Sequence, residues 1–159
     1  MLITKEFTFS AAHALPHYHG TCERMHGHNY RLQVTVSGQP SSNGLVLDFL
    51  ILKQIVQKQV LDKVDHHNLN EHFENPTCEL MAQWIWQQLH DFTTLLREEA
   101  EDPNLSAEIK ALLKEGGEMK KEVSFGVRLY EVRLFETDTS WVTIRDNIAF
   151  PDQDLIFSM

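Results

Sequence analysis

The sequence predicts an α+β fold built on an antiparallel sheet. Three observations carry this. Apolar and polar residues alternate near both ends of the chain, two amphipathic helical patterns fill its middle, and turn-forming residues separate them. Strands and helices are thus segregated into two β-hairpins separated by helices, the arrangement of an antiparallel α+β sheet. At 159 residues the chain is expected to form one domain, spanning 1–159, with enough length for a real core.

Residues 3–9 place Ile3, Phe7 and Phe9 on one face and read as a strand that runs into His13. Residues 14–25 contain Pro16 and Gly20 and read as a loop. Tyr30 to Ser37 alternates Leu32, Val34 and Val36 with Arg31, Gln33 and Thr35, a half-buried strand. Residues 38–44 hold Gly, Ser, Pro and Asn and make a turn.

Asp48 is a natural N-cap for a helix from about Phe49 to Lys63, with Phe49, Leu52, Val56 and Val60 as its apolar stripe. The loop Asp65-His66-His67-Asn68-Leu69-Asn70 follows. Asn75-Pro76-Thr77 starts a second helix, with proline in the first turn and Met81, Ile85, Leu89 and Phe92 facing inward. Residues 93–122 are charged and read as a surface insertion, with a short amphipathic helix around 106–114. Strand patterns resume at 123–136, and a last strand covers 141–145.

The formal net charge is −9, which argues against nucleic acid as a partner because such binding needs a basic surface. A small anionic substrate is a different matter, since a metal ion and local cations can reverse the field inside a pocket. There is no apolar run of membrane-spanning length and no secretory pattern in the first residues. With only Cys22 and Cys78, a disulfide framework is not expected. These features predict a cytoplasmic protein without a membrane partner.

The chemistry concentrates at Cys22-x3-His26-Gly27-His28. Two histidines at i and i+2 of an extended chain point to the same side, here the side of the apolar face. His13, on a neighbouring strand, would complete a three-nitrogen zinc site with one position open, the arrangement of catalytic rather than structural zinc. Against this stands the ordinary reading of solvated or core histidines in a chain that has nine. His17 and His19 lie in the proline- and glycine-containing loop and read as surface or rim residues.

Cys22 has three readings: a fourth ligand closing the site, an inert buried thiol, or a reactive thiolate activated by nearby metal and imidazoles. Asp65-His66 is a carboxylate–imidazole pair in which the acid can fix the tautomer and stabilise the cation. It also fits the solvated end of a capped helix, and His67 is an equally good imidazole. Glu136 ends a strand. If buried it needs donors, which two adjacent N–H groups of a ligand would supply.

Taken in order, Phe9-x-Ala11-Ala12-His13, Cys22-x3-His26-Gly27-His28, Gly44-x3-Asp48-Phe49, Val64-Asp65-His66-x2-Leu69-Asn70, Asn75-Pro76-Thr77-x-Glu79 and Glu136-Thr137 resemble the 6-pyruvoyl-tetrahydropterin synthase family. Its bacterial branch includes the 6-carboxy-tetrahydropterin synthases of queuosine biosynthesis. The resemblance spans nearly the whole chain apart from 93–122. It implies a tunnelling fold, a four-stranded antiparallel sheet with two helices on one face. The sheets would join into an oligomeric barrel, as a homotrimer or hexamer.

The resemblance further implies Zn2+ on His13, His26 and His28, with Cys22 as catalytic thiol and Asp65 with His66 as acid–base pair. Glu136 would anchor the pterin, aided by Thr77. The implied substrate is 7,8-dihydroneopterin triphosphate, cleaved by elimination and a retro-aldol step to 6-carboxy-tetrahydropterin, acetaldehyde and triphosphate. Three products are open to such a site: carboxy, pyruvoyl and hydroxymethyl. Glu23, next to Cys22, is the alternative acid–base residue that relatives forming the hydroxymethyl product use. Arg24 and Lys53 are candidate cations for the triphosphate. A pterin- or metal-binding module without turnover is the non-enzymatic alternative.

Overall fold

Four antiparallel strands in the order β1-β2-β3-β4 form the sheet of the computed structural model, which describes residues 1–41, 44–102 and 126–146. β1 is Leu2–His13, β2 is His26–Ser37, β3 is Arg128–Thr137 and β4 is Ser140–Arg145. The first pair is in continuous register from Leu2↔Ser37 to His13↔His26. Alternation therefore runs unbroken from Phe7, Phe9 and Ala11 to His13 on one strand, and from Leu32 back through Tyr30 to His28 and His26 on the other. The core face and the three histidines are one surface.

Helix α1 (Phe49–Val56) begins at Asp48, whose carboxylate accepts from the Leu50 N–H at 2.7 Å. The expected stop near residue 63 is met, but not by a uniform helix. A π-helical stretch, Gln57–Leu61, is inserted before the short α2 (Asp62–Val64). Such an insertion shifts side chains around the axis. Ile51, Leu52, Ile55, Val56, Val60 and Leu61 are buried, whereas Phe49, placed on the stripe by its spacing, is 49% exposed.

Helix α3 (Cys78–Leu89) starts two residues after Pro76, not around it. Thr77 is the N-cap and its hydroxyl accepts from the Leu80 N–H at 3.3 Å. Met81, Ile85 and Leu89 point inward as expected, while Phe92 opens a new helix, α4 (Phe92–Glu101), capped by Asp91. The stretch from 93 onward therefore begins as a packed helix with Leu96 and Glu99 buried, rather than as a surface segment. The expected helix at 106–114 and the strand start at 123 lie outside the described residues.

Helices α1, α3 and α4 all pack on the same face of the sheet. Leu32, Val34, Val132 and Leu134 meet Leu52, Met81, Ile85 and Leu89 at zero exposure. The opposite face is polar: Thr4 and Thr35 share a hydrogen bond of 2.8 Å, and Glu131 is paired with Arg133 and Arg145. Among the described residues no helix is long and apolar enough to cross a membrane.

Leu134 is the central contact between β3 and the helix layer. Leu134→Ala is expected to cost about 3 kcal/mol. In urea unfolding followed by circular dichroism, the midpoint should fall while the slope stays unchanged.

Candidate metal centre and the Asp65–His66 pair

The end of the β1–β2 hairpin holds three imidazoles together. His13, His26 and His28 each offer a ring nitrogen, all within 4.8 Å of one another. His13 is fully buried. Its Nδ1–H donates to the Pro76 carbonyl oxygen at 2.8 Å. His26 Nδ1–H donates to the Arg24 carbonyl at 2.7 Å. Carbonyls only accept, so both rings carry their proton on Nδ1 and turn a lone pair outward at Nε2.

These two Nε2 atoms lie 3.2 Å apart. Two lone pairs at that distance repel and cannot form a hydrogen bond. A cation between them removes the conflict. Nitrogens bound at tetrahedral zinc distances are about 3.4 Å from each other, close to what the free rings already adopt. The residues fit a three-histidine zinc centre on this count. Burial lowers the pKa of His28, outweighing the opposing pull of Glu136, and His13 and His26 push the same way as burial. The neutral ring is the form that binds metal.

Cys22 sits in a short 3-10 turn, Thr21–Glu23, half-buried. Its carbonyl accepts from the Leu15 N–H at 2.9 Å, tying the turn to the chain just past His13. The thiol is not part of the three-nitrogen group. Glu23 is exposed. Cys78 contrasts with Cys22. It is buried, its thiol donates to the Leu134 carbonyl at 3.5 Å, and burial pushes its pKa up to about 12. Tyr30 stacks on Phe9 beneath the histidines, and burial drives its hydroxyl pKa far above the ordinary value, so it stays protonated.

Glu136, at the end of β3, reaches the same corner with Oε1 3.7 Å from His13 Nε2, its side chain 26% exposed. Thr77 is half-buried and its hydroxyl is already engaged as a helix cap. Arg24 and Lys53 are exposed, and Arg24 serves the site through its carbonyl. His17 is also exposed and lies 3.7 Å from Glu74, as expected of a rim residue.

Asp65 and His66 lie on the free edge of β1. Asp65 Oδ1 accepts from His66 Nδ1 at 2.8 Å and from the Ser10 N–H at 3.0 Å. The His66 N–H donates to the Ser10 carbonyl at 2.6 Å, and the Ala12 N–H to the His67 carbonyl at 3.1 Å. Asn70 continues this clip, accepting from the Ala14 N–H at 2.7 Å and donating to the Ala14 carbonyl at 2.8 Å. The loop thus occupies the edge that the last residues of β1 would leave open. A cavity of about 430 Å³ beside it is lined by Ser10, Ala12, His28, Asn29, His66 and His67, among others.

Pro76 and Asn70 are residues whose role the sequence reading did not single out, and Arg24, read there as a candidate cation, serves through its carbonyl; all three act through or upon main-chain groups. Spacing carries no trace of a carbonyl's direction. Only the Asn-Pro-Thr and Leu-Asn motifs hinted that these positions were special.

The chain is similar to proteins of known family. Residues 2–111 match the family model described as 6-pyruvoyl tetrahydropterin synthase. A 6-carboxy-5,6,7,8-tetrahydropterin synthase of Synechocystis is 41% identical over 97 residues, covering 57% of this chain and 75% of that protein. A putative 6-carboxy-5,6,7,8-tetrahydropterin synthase of Archaeoglobus fulgidus is 44% identical over 89 residues, covering 56% and 76%. The structure of the Caenorhabditis elegans 6-pyruvoyl tetrahydropterin synthase superposes with a TM-score of 0.63 over 91% of this chain and 94% of that one, at 24% identity. With the matched segment running from β1 through α4 and containing the three histidines and the Asp65 loop, the chain belongs to the 6-pyruvoyl tetrahydropterin synthase family.

Proposed function

We propose that this protein is a zinc-dependent lyase. It converts 7,8-dihydroneopterin triphosphate to 6-carboxy-5,6,7,8-tetrahydropterin, acetaldehyde and triphosphate, a step of queuosine biosynthesis. The observation that carries the metal part is the pair of fixed Nε2 lone pairs 3.2 Å apart. Relatives named for the carboxy product, at 41% and 44% identity, support the branch. The exposed position of Glu23 beside the half-buried Cys22 favours a thiol over a carboxylate as the working group.

In this reading His13, His26 and His28 hold Zn2+, which supplies a Lewis acid for the side-chain hydroxyls of the substrate. Cys22 takes a carbon-bound proton. His66 moves protons while Asp65 fixes its tautomer and stabilises its cation. Glu136 accepts two N–H groups of the pterin, and Thr77 helps to hold the pterin ring. The polar sheet face and the open edge strands suit association of whole sheets into a barrel of three or six chains. The domain is read as one unit over 1–159.

Mass analysis of the products formed by zinc-loaded protein from 7,8-dihydroneopterin triphosphate is the direct test. A carboxylated tetrahydropterin with acetaldehyde is expected. A pyruvoyl or hydroxymethyl product, or none, would overturn the assignment. Cys22→Ala is expected to lose at least about a hundredfold in turnover while keeping one zinc per chain by metal analysis. His26→Ala should lose the zinc itself.

Zinc competes with protons for the three rings, so occupancy at fixed free zinc should drop as the solution is acidified. The metal-free protein should also lose stability on acidification. The unfolded chain takes up protons near the ordinary value of 6.5, while buried His28 resists them, so the unfolded state binds more protons and stability falls with pH. Urea midpoints measured at pH 7.5 and pH 5.5 read this directly; a His28→Gln variant should show a smaller drop.

A further inference from the structure

Asp65 organises two imidazoles, of which the proposed mechanism uses one. Its carboxylate accepts from His66 Nδ1 at 2.8 Å, and its main-chain carbonyl accepts from His67 Nδ1, also at 2.8 Å. Both rings therefore hold their proton on Nδ1 and present Nε2 as a lone pair. Both line the same cavity, with Ser10, Asn29 and Asn68.

Neighbouring residues on an extended chain send their side chains to opposite sides. Here the alternation is broken at His66, whose φ is 61°, the one positive φ outside glycine among the described residues. A left-handed histidine costs about 1–2 kcal/mol. The flanking hydrogen bonds, His66 N–H to Ser10 and Ala12 N–H to His67, hold the backbone in that state. The result is two adjacent rings facing one cavity. Strain kept at such a point is a reason to look for function.

We propose that His67 is a second acid–base residue of this site, working beside His66; this rests on the pterin lyase reading above. The two rings differ in their partners. His66 is tied to the Asp65 carboxylate and His67 to the Asp65 main-chain carbonyl. The proposed conversion moves several protons: carbon-bound and hydroxyl protons leave the side chain, and a ring carbon gains one. Each ring starts neutral, so a proton that its Nε2 accepts from the substrate in one step is the proton it returns to the substrate in a later one. The protein gains no net proton, and no external reductant is required. His72, whose ring centre is 6.2 Å from that of His67, is the neighbouring imidazole.

The test uses zinc-loaded full-length protein with 7,8-dihydroneopterin triphosphate. His67→Asn keeps an amide donor for the Asp65 carbonyl but has no Nε2; it should slow kcat about a hundredfold with KM little changed. His67→Ala should be as slow, and added imidazole should restore part of its rate. A His67→Asn variant within twofold of the unmodified protein would mean that only the tether matters, and would overturn the proposal. A second arm records 15N spectra of the histidine rings while neopterin, which does not react, is added. Movement of the His67 Nε2 resonance supports contact with the ligand, and an unmoved resonance overturns it. If the unmodified protein forms no product, the lyase reading fails, and the nitrogen spectra still decide whether His67 meets a pterin.

Discussion

A fully buried imidazole is the constraint from which the rest of the site follows. His13 has no exposure to solvent, so its N–H must find a partner inside the protein. The partner is the Pro76 carbonyl, more than sixty positions away in the chain. That bond joins the end of β1 to the residues just before α3. It also fixes which nitrogen of His13 faces the other two histidines. The fold and the three-histidine cluster are thus linked at one hydrogen bond. A helix layer that failed to dock would leave both an unsatisfied donor and a ring free to choose the wrong tautomer.

The register of the first hairpin does the remaining positioning. Pairing of His13 with His26 and of Ala11 with His28 puts three rings at one end of the core face. A slip by one residue would turn His26 and His28 to the polar face and bury Gly27 and Asn29 in their place. The hydrophobic residues further along β2, from Tyr30 to Val36, forbid that slip because they would also be turned outward. Burial of apolar residues therefore enforces the geometry of the polar ones. Glu136 obeys the same logic from β3, where the strand end brings its carboxylate to His13.

How much of this was legible in the sequence depended on whether the information is periodic. The strands, the inward faces of α1 and α3 and the alignment of His26 and His28 with the apolar face all follow from spacing. The π-helical stretch at Gln57–Leu61 does not, because a single extra residue in a turn leaves the composition unchanged. Periodicity assigns Phe49 to the core, but at the first position of α1 its ring lies beneath the Lys5 ammonium of β1 and remains exposed. Pro76 was placed in the first turn of α3. Its carbonyl is instead committed to His13, and the helix waits for Thr77 as its cap. Asp65 does stand at the C-cap of α2, but its side chain is engaged rather than solvated, since it accepts from both Ser10 and His66.

The two chemical groups of the site are held by different kinds of structure, and this bears on how each tolerates change. The histidine cluster is built into the paired interior of the hairpin, where strand register sets all three rings and a carbonyl fixes those of His13 and His26. The Asp65 loop is clipped to a strand edge by a few main-chain bonds, with His66 left 80% exposed. An edge clip of this kind needs a device to keep β1 from pairing further, and Asn70 provides it by satisfying both main-chain groups of Ala14. The Leu69 side chain, at zero exposure, anchors the same turn in the core. What reads in the sequence as a candidate acid–base motif is therefore also a structural one: Asp65 and His66 are presented at the strand edge by the turn that Leu69 and Asn70 hold.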